Sequence, residues 1–333
     1  MQTVVDLSRL RHNIRLIRAK TGNGFCAVVK ADAYGHGSSV ASYIEPLVDC
    51  YMVACYDEAA SIVASGVRKP ILVLGGDVGF VVHNRDKQII PTVCSLRQLE
   101  FIANCGVKNF SVEVDTGMHR LGADESELGA MIAFMTTRNL SSWSTYSHIY
   151  NGVASALDQA DKFDRMTNVS VLNRRRHLYS SVALDLPQGV PLFDMTRSGI
   201  AMYGFAKGLD IALRARAKII SISAVERGNR VGYGDYILDK DSVIATVACG
   251  YADGLRRCDK QLYLTVRGVK CKVVGVPCMD MCMIDVSDVR CRVGEFAYLI
   301  QDKEDVEYLA KCYGTIVYEI LTGFNGRAER IYM

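Results

Sequence analysis

Phe25-Cys26-Ala27-Val28-Val29-Lys30-Ala31-Asp32-Ala33-Tyr34-Gly35-His36-Gly37 is the stretch whose reading decides the fold. Its apolar, β-branched half reads as a buried parallel strand, and the Gly-rich half as a turn into a helix. Lys30 stands at the mouth of that strand. Burial disfavours an ammonium and favours the neutral amine, the form that attacks a carbonyl to make a Schiff base. The same position also suits a strand-end lysine that snorkels to solvent.

Working outward, strand-like runs recur at residues 25–31, 51–55, 71–74, 89–94, 110–115, 143–148, 177–183 and 194–203. The segments between them carry helical periodicity and start signals, such as the capping-box spacing of Ser95-Leu96-Arg97-Gln98 and the acidic first turn Asp124-Glu125-Ser126-Glu127. Eight strands, each followed by a helix, predict an α/β fold with a (β/α)8 TIM-like barrel over residues 1–210. After about residue 210 the pattern changes to alternation and hairpins, at residues 218–223, 261–274 around Arg267-Gly268, and 295–300, with one helix at 305–313. A mostly β C-terminal domain over residues 211–333 is expected. Two domains also suit a chain of 333 residues.

Lys and Arg exceed Asp and Glu by 39 − 36 = 3, which is no electrostatic footprint for nucleic acid or an anionic membrane. A small-molecule partner is the expectation. No apolar stretch approaches the roughly 18 residues of a membrane span, and the first residues lack the pattern of a secretory signal. The twelve cysteines are scattered through apolar segments and read as reduced thiols, which points to the cytoplasm. Cys278 and Cys282 flank Asp280, but no second Cys/His pair has matching spacing, so no metal is expected.

In a barrel of this kind, reactive groups collect at the C-terminal ends of the strands. Lys30, Arg120, His148, Ser181, Arg197 and Gly199 all fall on such ends. Ser181 and the backbone N–H groups near Gly199 and Ile200 suit a phosphate.

Lys30, Arg120, Arg197 and Gly199 belong to motifs that resemble those of the alanine racemase family. Residues 27–37 are similar to its pyridoxal-phosphate attachment motif. Five further matches follow in order: Val114-Asp115-Thr116-Gly117-Met118-His119-Arg120-Leu121-Gly122, Arg197-Ser198-Gly199-Ile200-Ala201-Met202-Tyr203-Gly204, Val231-Gly232-Tyr233-Gly234, Gly250-Tyr251-Ala252-Asp253-Gly254 and Cys278-Met279-Asp280. The resemblance implies pyridoxal 5'-phosphate linked to Lys30 and a homodimer whose sites combine one subunit's barrel with the other's β domain. It implies Lys30 and Tyr233 as catalytic bases on opposite faces of the substrate, since racemisation takes a proton from one side and returns it to the other. Arg197 is implied to face the pyridine nitrogen and His148 to support it. Tyr34, Ser181, Gly199, Ile200 and Tyr318 are implied to contact the phosphate. Arg120 is implied at the cofactor's phenolic oxygen or the substrate carboxylate. Tyr251, Arg257 and Asp280 are implied to line the mouth of the site, with the Met279 backbone toward the substrate carboxylate.

Two departures matter. Glu113 stands where many relatives carry a carbamylated lysine, so it is expected to supply the negative charge itself and to orient Arg120 directly or through water. The stretch Thr322-Gly323-Phe324-Asn325-Gly326-Arg327-Ala328-Glu329-Arg330 replaces a proline-containing sequence. It leans toward the racemase domains of membrane-bound serine/alanine racemases from glycopeptide-resistance operons, and the abrupt start suits a domain cut from such a protein. Tyr318 narrows the pocket, so both L-/D-alanine and L-/D-serine are expected to react, with alanine favoured and the products supplying peptidoglycan. A pyridoxal-phosphate decarboxylase needs a reactive cysteine and an acidic pair, which Cys278-Met279-Asp280 does not offer convincingly. A non-catalytic pyridoxal-phosphate carrier has no second domain, and the residues after 210 weigh against it.

Overall fold

The computed structural model describes every residue except 76–77, 80–86, 188–189, 191 and 325–326. Asn325 and Gly326 of the C-terminal stretch therefore lie outside the described residues.

Eight parallel strands form the first sheet: β2 (Gly24–Val28), β3 (Cys50–Val53), β4 (Ile71–Val73), β5 (Ile89–Val93), β6 (Ser111–Glu113), β7 (Ser144–Tyr146), β8 (Arg176–His177) and β9 (Met195–Ser198). They are ordered β8-β7-β6-β5-β4-β3-β2-β9, and the pairing of β2 with β9 in register Cys26↔Arg197 brings the first and last strands together. The remaining seam is joined by backbone bonds from Asp194 N–H to the Arg176 carbonyl (2.9 Å) and from Arg197 N–H to the Tyr179 carbonyl (3.0 Å). Each expected run contains one strand of this barrel. The run at 177–183 differs most. Only its first residue is extended, and residues 181–184 turn into a short 3-10 helix.

The second sheet has the order β11-β14-β13-β12-β15-β10-β1-β16, with β10 also pairing β11. Its strands are β1 (Gln2–Val5), β10 (Leu213–Val225), β11 (Ser242–Val247), β12 (Tyr263–Val266), β13 (Val269–Val274), β14 (Cys282–Asp285), β15 (Phe296–Ile300) and β16 (Glu329–Tyr332). The expected hairpin turns at Arg267 (φ 50°) and Gly268 (φ 82°), and the expected late helix is Lys303–Tyr313. Gln2–Val5, on the barrel side of the expected division at residue 210, belongs to the second sheet. Gln2–Val5 pairs antiparallel with β10 and parallel with β16, because an edge strand satisfies its backbone groups wherever a neighbouring strand lies open.

The helix Leu7–Thr21 then carries the chain to the barrel. Asp6 caps its start by accepting from Arg9 N–H, and Gly22 ends it in the left-handed region. Its buried Asn13 donates to the carbonyls of Met202 (3.1 Å) and Asp210 (2.7 Å), fixing the connection between the two sheets. Within that connection Gly204 has φ +111°, and a Cβ there meets the Asp210 carbonyl. We expect Gly204→Ala to cost about 2 kcal/mol or more of stability, read as a lower denaturant midpoint. All twelve cysteines are free thiols. Among the described residues no helix is long and apolar enough to cross a membrane.

Candidate active site

The barrel strands end at a cavity of about 770 Å³ whose lining includes Lys30, Tyr34, Arg120, His148, Ser181, Arg197, Gly199, Ile200 and Tyr318. These nine sequence candidates meet there, although up to 288 residues separate them (318 − 30). Tyr233, Tyr251, Met279 and Asp280 do not line it. They lie on the second domain. Tyr233 is 66% exposed and bridges to Val276, while Tyr251 and Ala252 donate backbone bonds to the carbonyls of Cys278 and Met279 (3.0 Å each). Asp280 accepts from Arg327 Nη1 at 2.8 Å, and Arg257 is exposed.

Arg197 organises the floor of the cavity. It is 3% exposed, and its Nη1 donates to the Nδ1 (2.9 Å) and carbonyl (2.7 Å) of His177. Its Nη2 donates to the carbonyls of Ser147 (2.7 Å) and Leu178 (3.0 Å) and to Nδ1 of His148 (3.2 Å). A guanidinium has donors only, so both imidazoles present a lone pair at Nδ1 and carry their proton on Nε2. Burial, with Arg197 beside it, pushes His148 down to about 3 and holds His177 well below its ordinary value. His177 is a functional residue that sequence reasoning missed. It reads only as the start of a strand, and no spacing links it to a residue 20 positions on.

Lys30 follows β2 on a strained support. Ala31, Asp32, Ala33 and Tyr34 have φ of 53°, 53°, 53° and 54°, a left-handed turn of four L-residues, each costing roughly 1–2 kcal/mol. Glu58, also missed from sequence, ties this turn to the next loop by accepting from the N–H groups of Ala31 and Ala54 (2.7 Å each). Burial lowers the Lys30 pKa and Arg120 lowers it further. Glu58 opposes this and Arg197 adds to it. The amine is therefore neutral in a larger fraction of molecules than an exposed lysine.

Arg120 is presented by a loop pinned on Asp115, which accepts from the N–H groups of Gly117 (2.8 Å) and His119 (3.1 Å). Of the two ways expected for Glu113 to orient Arg120, directly or through water, a direct hydrogen bond is not made among the described residues, while the charge of Arg120 still acts on Glu113. Its Oε2 accepts from the Tyr146 hydroxyl (3.2 Å), which lies 3.1 Å from the Thr92 hydroxyl, with the Cys94 thiol at 3.9 Å. Glu113 ends the three-residue strand β6 in register with Tyr146 of the neighbouring β7, which brings the two side chains together. Burial raises its pKa, and the fields of Arg197 and Arg120 oppose this.

The cavity fits a phosphate-bearing aldehyde. Among the described residues the N–H groups of Gly199 and Ile200 make no hydrogen bond, and Ser181 Oγ lies beside them, accepting from Ala201 N–H at 3.2 Å. Unpaired donors at the start of a turn suit an anion. The Tyr34 hydroxyl borders Gly199 so closely that a Cβ there collides with it.

A parallel barrel with a half-buried amine, a buried arginine and an anion cradle at its C-terminal mouth defines a (β/α)8 protein with a site for an anionic small molecule. The comparisons narrow this. Residues 5–207 match the model of the alanine racemase N-terminal domain and residues 212–332 that of the C-terminal domain, so the chain belongs to the alanine racemase family. The family depends on pyridoxal phosphate. The alanine racemases of Sorangium cellulosum and Aquifex aeolicus are 32% and 30% identical, each matching 98% of this chain and 97% of its own length. The solved alanine racemase of Clostridium difficile 630 is 30% identical with TM-score 0.90, over 100% of this chain and 95% of that one. That of Bacillus anthracis, solved with bound L-Ala-P, is 27% identical with TM-score 0.88, over 100% and 94%.

Two outcomes follow from this geometry. Ala31 is exposed, so Ala31→Gly relieves left-handed strain without opening a cavity and should raise stability by about 1 kcal/mol in a thermal melt. His36 is likewise held at about 4, mainly by burial, so with His148 and His177 three rings stay neutral when folded. Below pH 6.5 the unfolded chain takes up protons that the folded protein refuses. Each ring's stabilising contribution is thus complete above that pH and is lost as pH falls, at about 1.4 kcal/mol per pH unit. A denaturant midpoint that stays level between pH 7.5 and 5 would contradict the neutral rings.

Proposed function

We propose that this protein interconverts L- and D-alanine using pyridoxal 5'-phosphate, and L- and D-serine less readily. The observation that supports this most is the single cavity lined by an amine, two arginines and an anion cradle. When bound, the cofactor supplies an electron sink for the pair left at the α-carbon. Lys30 Nζ holds and returns the α-proton on one face, and its lowered pKa suits that task. The phenolic oxygen of the partner subunit's Tyr233 does so on the other.

Ser181, Tyr34, Tyr318 and the N–H groups of Gly199 and Ile200 hold the phosphate. Arg197 faces the pyridine nitrogen. Its charge is already spread over five acceptors and it gives up no proton, so it disfavours a protonated ring and the side reactions that accompany one. His148 orients Arg197, and Arg120 holds the substrate carboxylate or the cofactor's phenolic oxygen. Glu113 offsets the charge of Lys30, Arg120 and Arg197 through space, without a carbamylated lysine.

In this reading the protein is a homodimer with shared sites. The exposure of Tyr233, Tyr251 (41%) and Met279 (54%) supports an interface there, with Tyr251, Asp280 and the Met279 backbone at the mouth of the partner's cavity. The Tyr318 ring, in contact with Tyr34 (centroids 5.9 Å apart), narrows the cavity and so favours a methyl over a hydroxymethyl group, and one hydroxyl is discriminated by roughly tens- to a hundredfold. The chain works in the cytoplasm as a unit of barrel (1–210) and β domain (211–333). It supplies D-amino acids for peptidoglycan, as the racemase part of a serine/alanine racemase of glycopeptide resistance.

Borohydride reduction of the yellow protein should fix the cofactor on Lys30. Lys30→Ala and Tyr233→Phe should each lose racemisation of L-alanine by at least about 100-fold. Mixed after joint refolding, they should recover about a quarter of wild-type activity, because half of randomly paired dimers are mixed and each has one intact site. No recovery would sink the shared site. Unchanged activity in Tyr233→Phe would sink its role as a base.

A further inference from the structure

The left-handed turn behind Lys30 needs something to hold it, because four L-residues in that region relax to other conformations when released. Part of the hold is internal. The buried His36 donates from Nδ1 toward the carbonyls of Ala33 (3.1 Å) and Tyr34 (3.0 Å), and its ring stacks on Tyr203 with centroids 4.3 Å apart. Ser38 N–H donates to Asp32 Oδ1 at 2.6 Å.

The rest comes from the far end of the chain. Arg330, in β16, pairs its Nη2 with Asp32 Oδ2 and donates to the Phe324 carbonyl (3.3 Å), while its Nε donates to the Gly35 carbonyl (3.4 Å). Its side chain is only 20% exposed. One guanidinium thus grips the turn at a side chain and at a carbonyl, a forked geometry that an ammonium does not reproduce. Beside it, Gly35 packs on the Leu321 carbonyl and Gly37 on the Tyr332 hydroxyl so closely that neither tolerates a Cβ. The strand carrying Arg330 is itself fixed, pairing parallel with β1 and bonding Glu329 N–H to the Met1 carbonyl (3.1 Å) and Met333 N–H to the Val5 carbonyl (3.0 Å).

We propose that Arg330 is a positioning residue for Lys30: through Asp32 and the Gly35 carbonyl it latches the left-handed turn to the second domain's sheet, so that the reactive amine is aimed by the last strand of the chain. This rests on the reading of Lys30 as the reactive amine. Glu58 fixes the N–H of Ala31 at one end of the turn, and Arg330 fixes its other side. Loss of the latch leaves the cavity lining in place and misdirects the amine.

The test compares holoenzyme carrying Arg330→Met, Asp32→Asn or both with wild type. Each single change should lower kcat by about tenfold or more with KM altered less than about threefold, since a displacement of the reacting group costs rate more than binding. Amide hydrogens of residues 35–38 should exchange faster, and the double variant should be no slower than the worse single one, because both remove the same contact. Unchanged kcat and exchange in both single variants would overturn the proposal, as would losses that multiply. If Arg330→Met does not fold, Asp32→Asn alone decides between these outcomes. Borohydride labelling of the wild type separates the premises. A wild type without label at Lys30 overturns the reading of the amine, whereas a labelled wild type with unaffected variants overturns only the latch.

Discussion

A guanidinium that cannot reach water has to be solvated by the protein, and the mouth of this barrel is built around that requirement. Arg197 sits on β9, and its Nη1 and Nη2 donate to groups from β8 and from the residues that follow β7 and β8. Three strand ends must therefore converge on one side chain. An unpaired buried charge costs several kcal/mol, which makes their relative placement a condition of folding as well as of function. The two histidines that serve as acceptors can do so only when neutral, and burial keeps them so.

The same charge shapes its neighbours. Lys30, Arg120 and Arg197 line one cavity against Glu113, which Tyr146 and Cys94 hold from the neighbouring β7 and the end of β5. The surplus of positive charge, with free N–H groups at Gly199 and Ile200, suits a doubly anionic guest carrying phosphate and carboxylate. It also depresses the amine it surrounds. Strain is concentrated where the reactive group is mounted: the left-handed turn at Ala31–Tyr34 persists because His36, Glu58 and Arg330 over-determine it.

The barrel was legible from the sequence because parallel strands buried on both faces leave continuous apolar runs that need no partner to be recognised. The run at 177–183 was overread: its apolar residues are buried through a short 3-10 helix as well as a strand, and periodicity does not separate the two. The strands β1 and β16 carried no such signal, since each is four residues long and takes its place only by pairing with the other and with β10. Among site residues, those in motifs were found, with His148, Ser181 and Tyr318 found outside them by their place at strand ends or by the resemblance. His177 and Glu58 have no neighbours in sequence that mark them, and Glu113 was recognised as a departure while its partner Tyr146 was not.

By itself the sequence determined the local elements, the lysine at a strand end and the glycines that admit positive φ at Gly35, Gly37 and Gly204. These depend on side-chain type and backbone sterics within a few residues. Only the tertiary structure decided which groups accept from Arg197, that Glu113 meets Tyr146, and that the last strand reaches back 298 residues (330 − 32) to Asp32. Those contacts are set by barrel closure and sheet pairing. The free energy of a buried charge or a strained turn depends on atoms brought together from distant parts of the chain, and no local pattern encodes that distance.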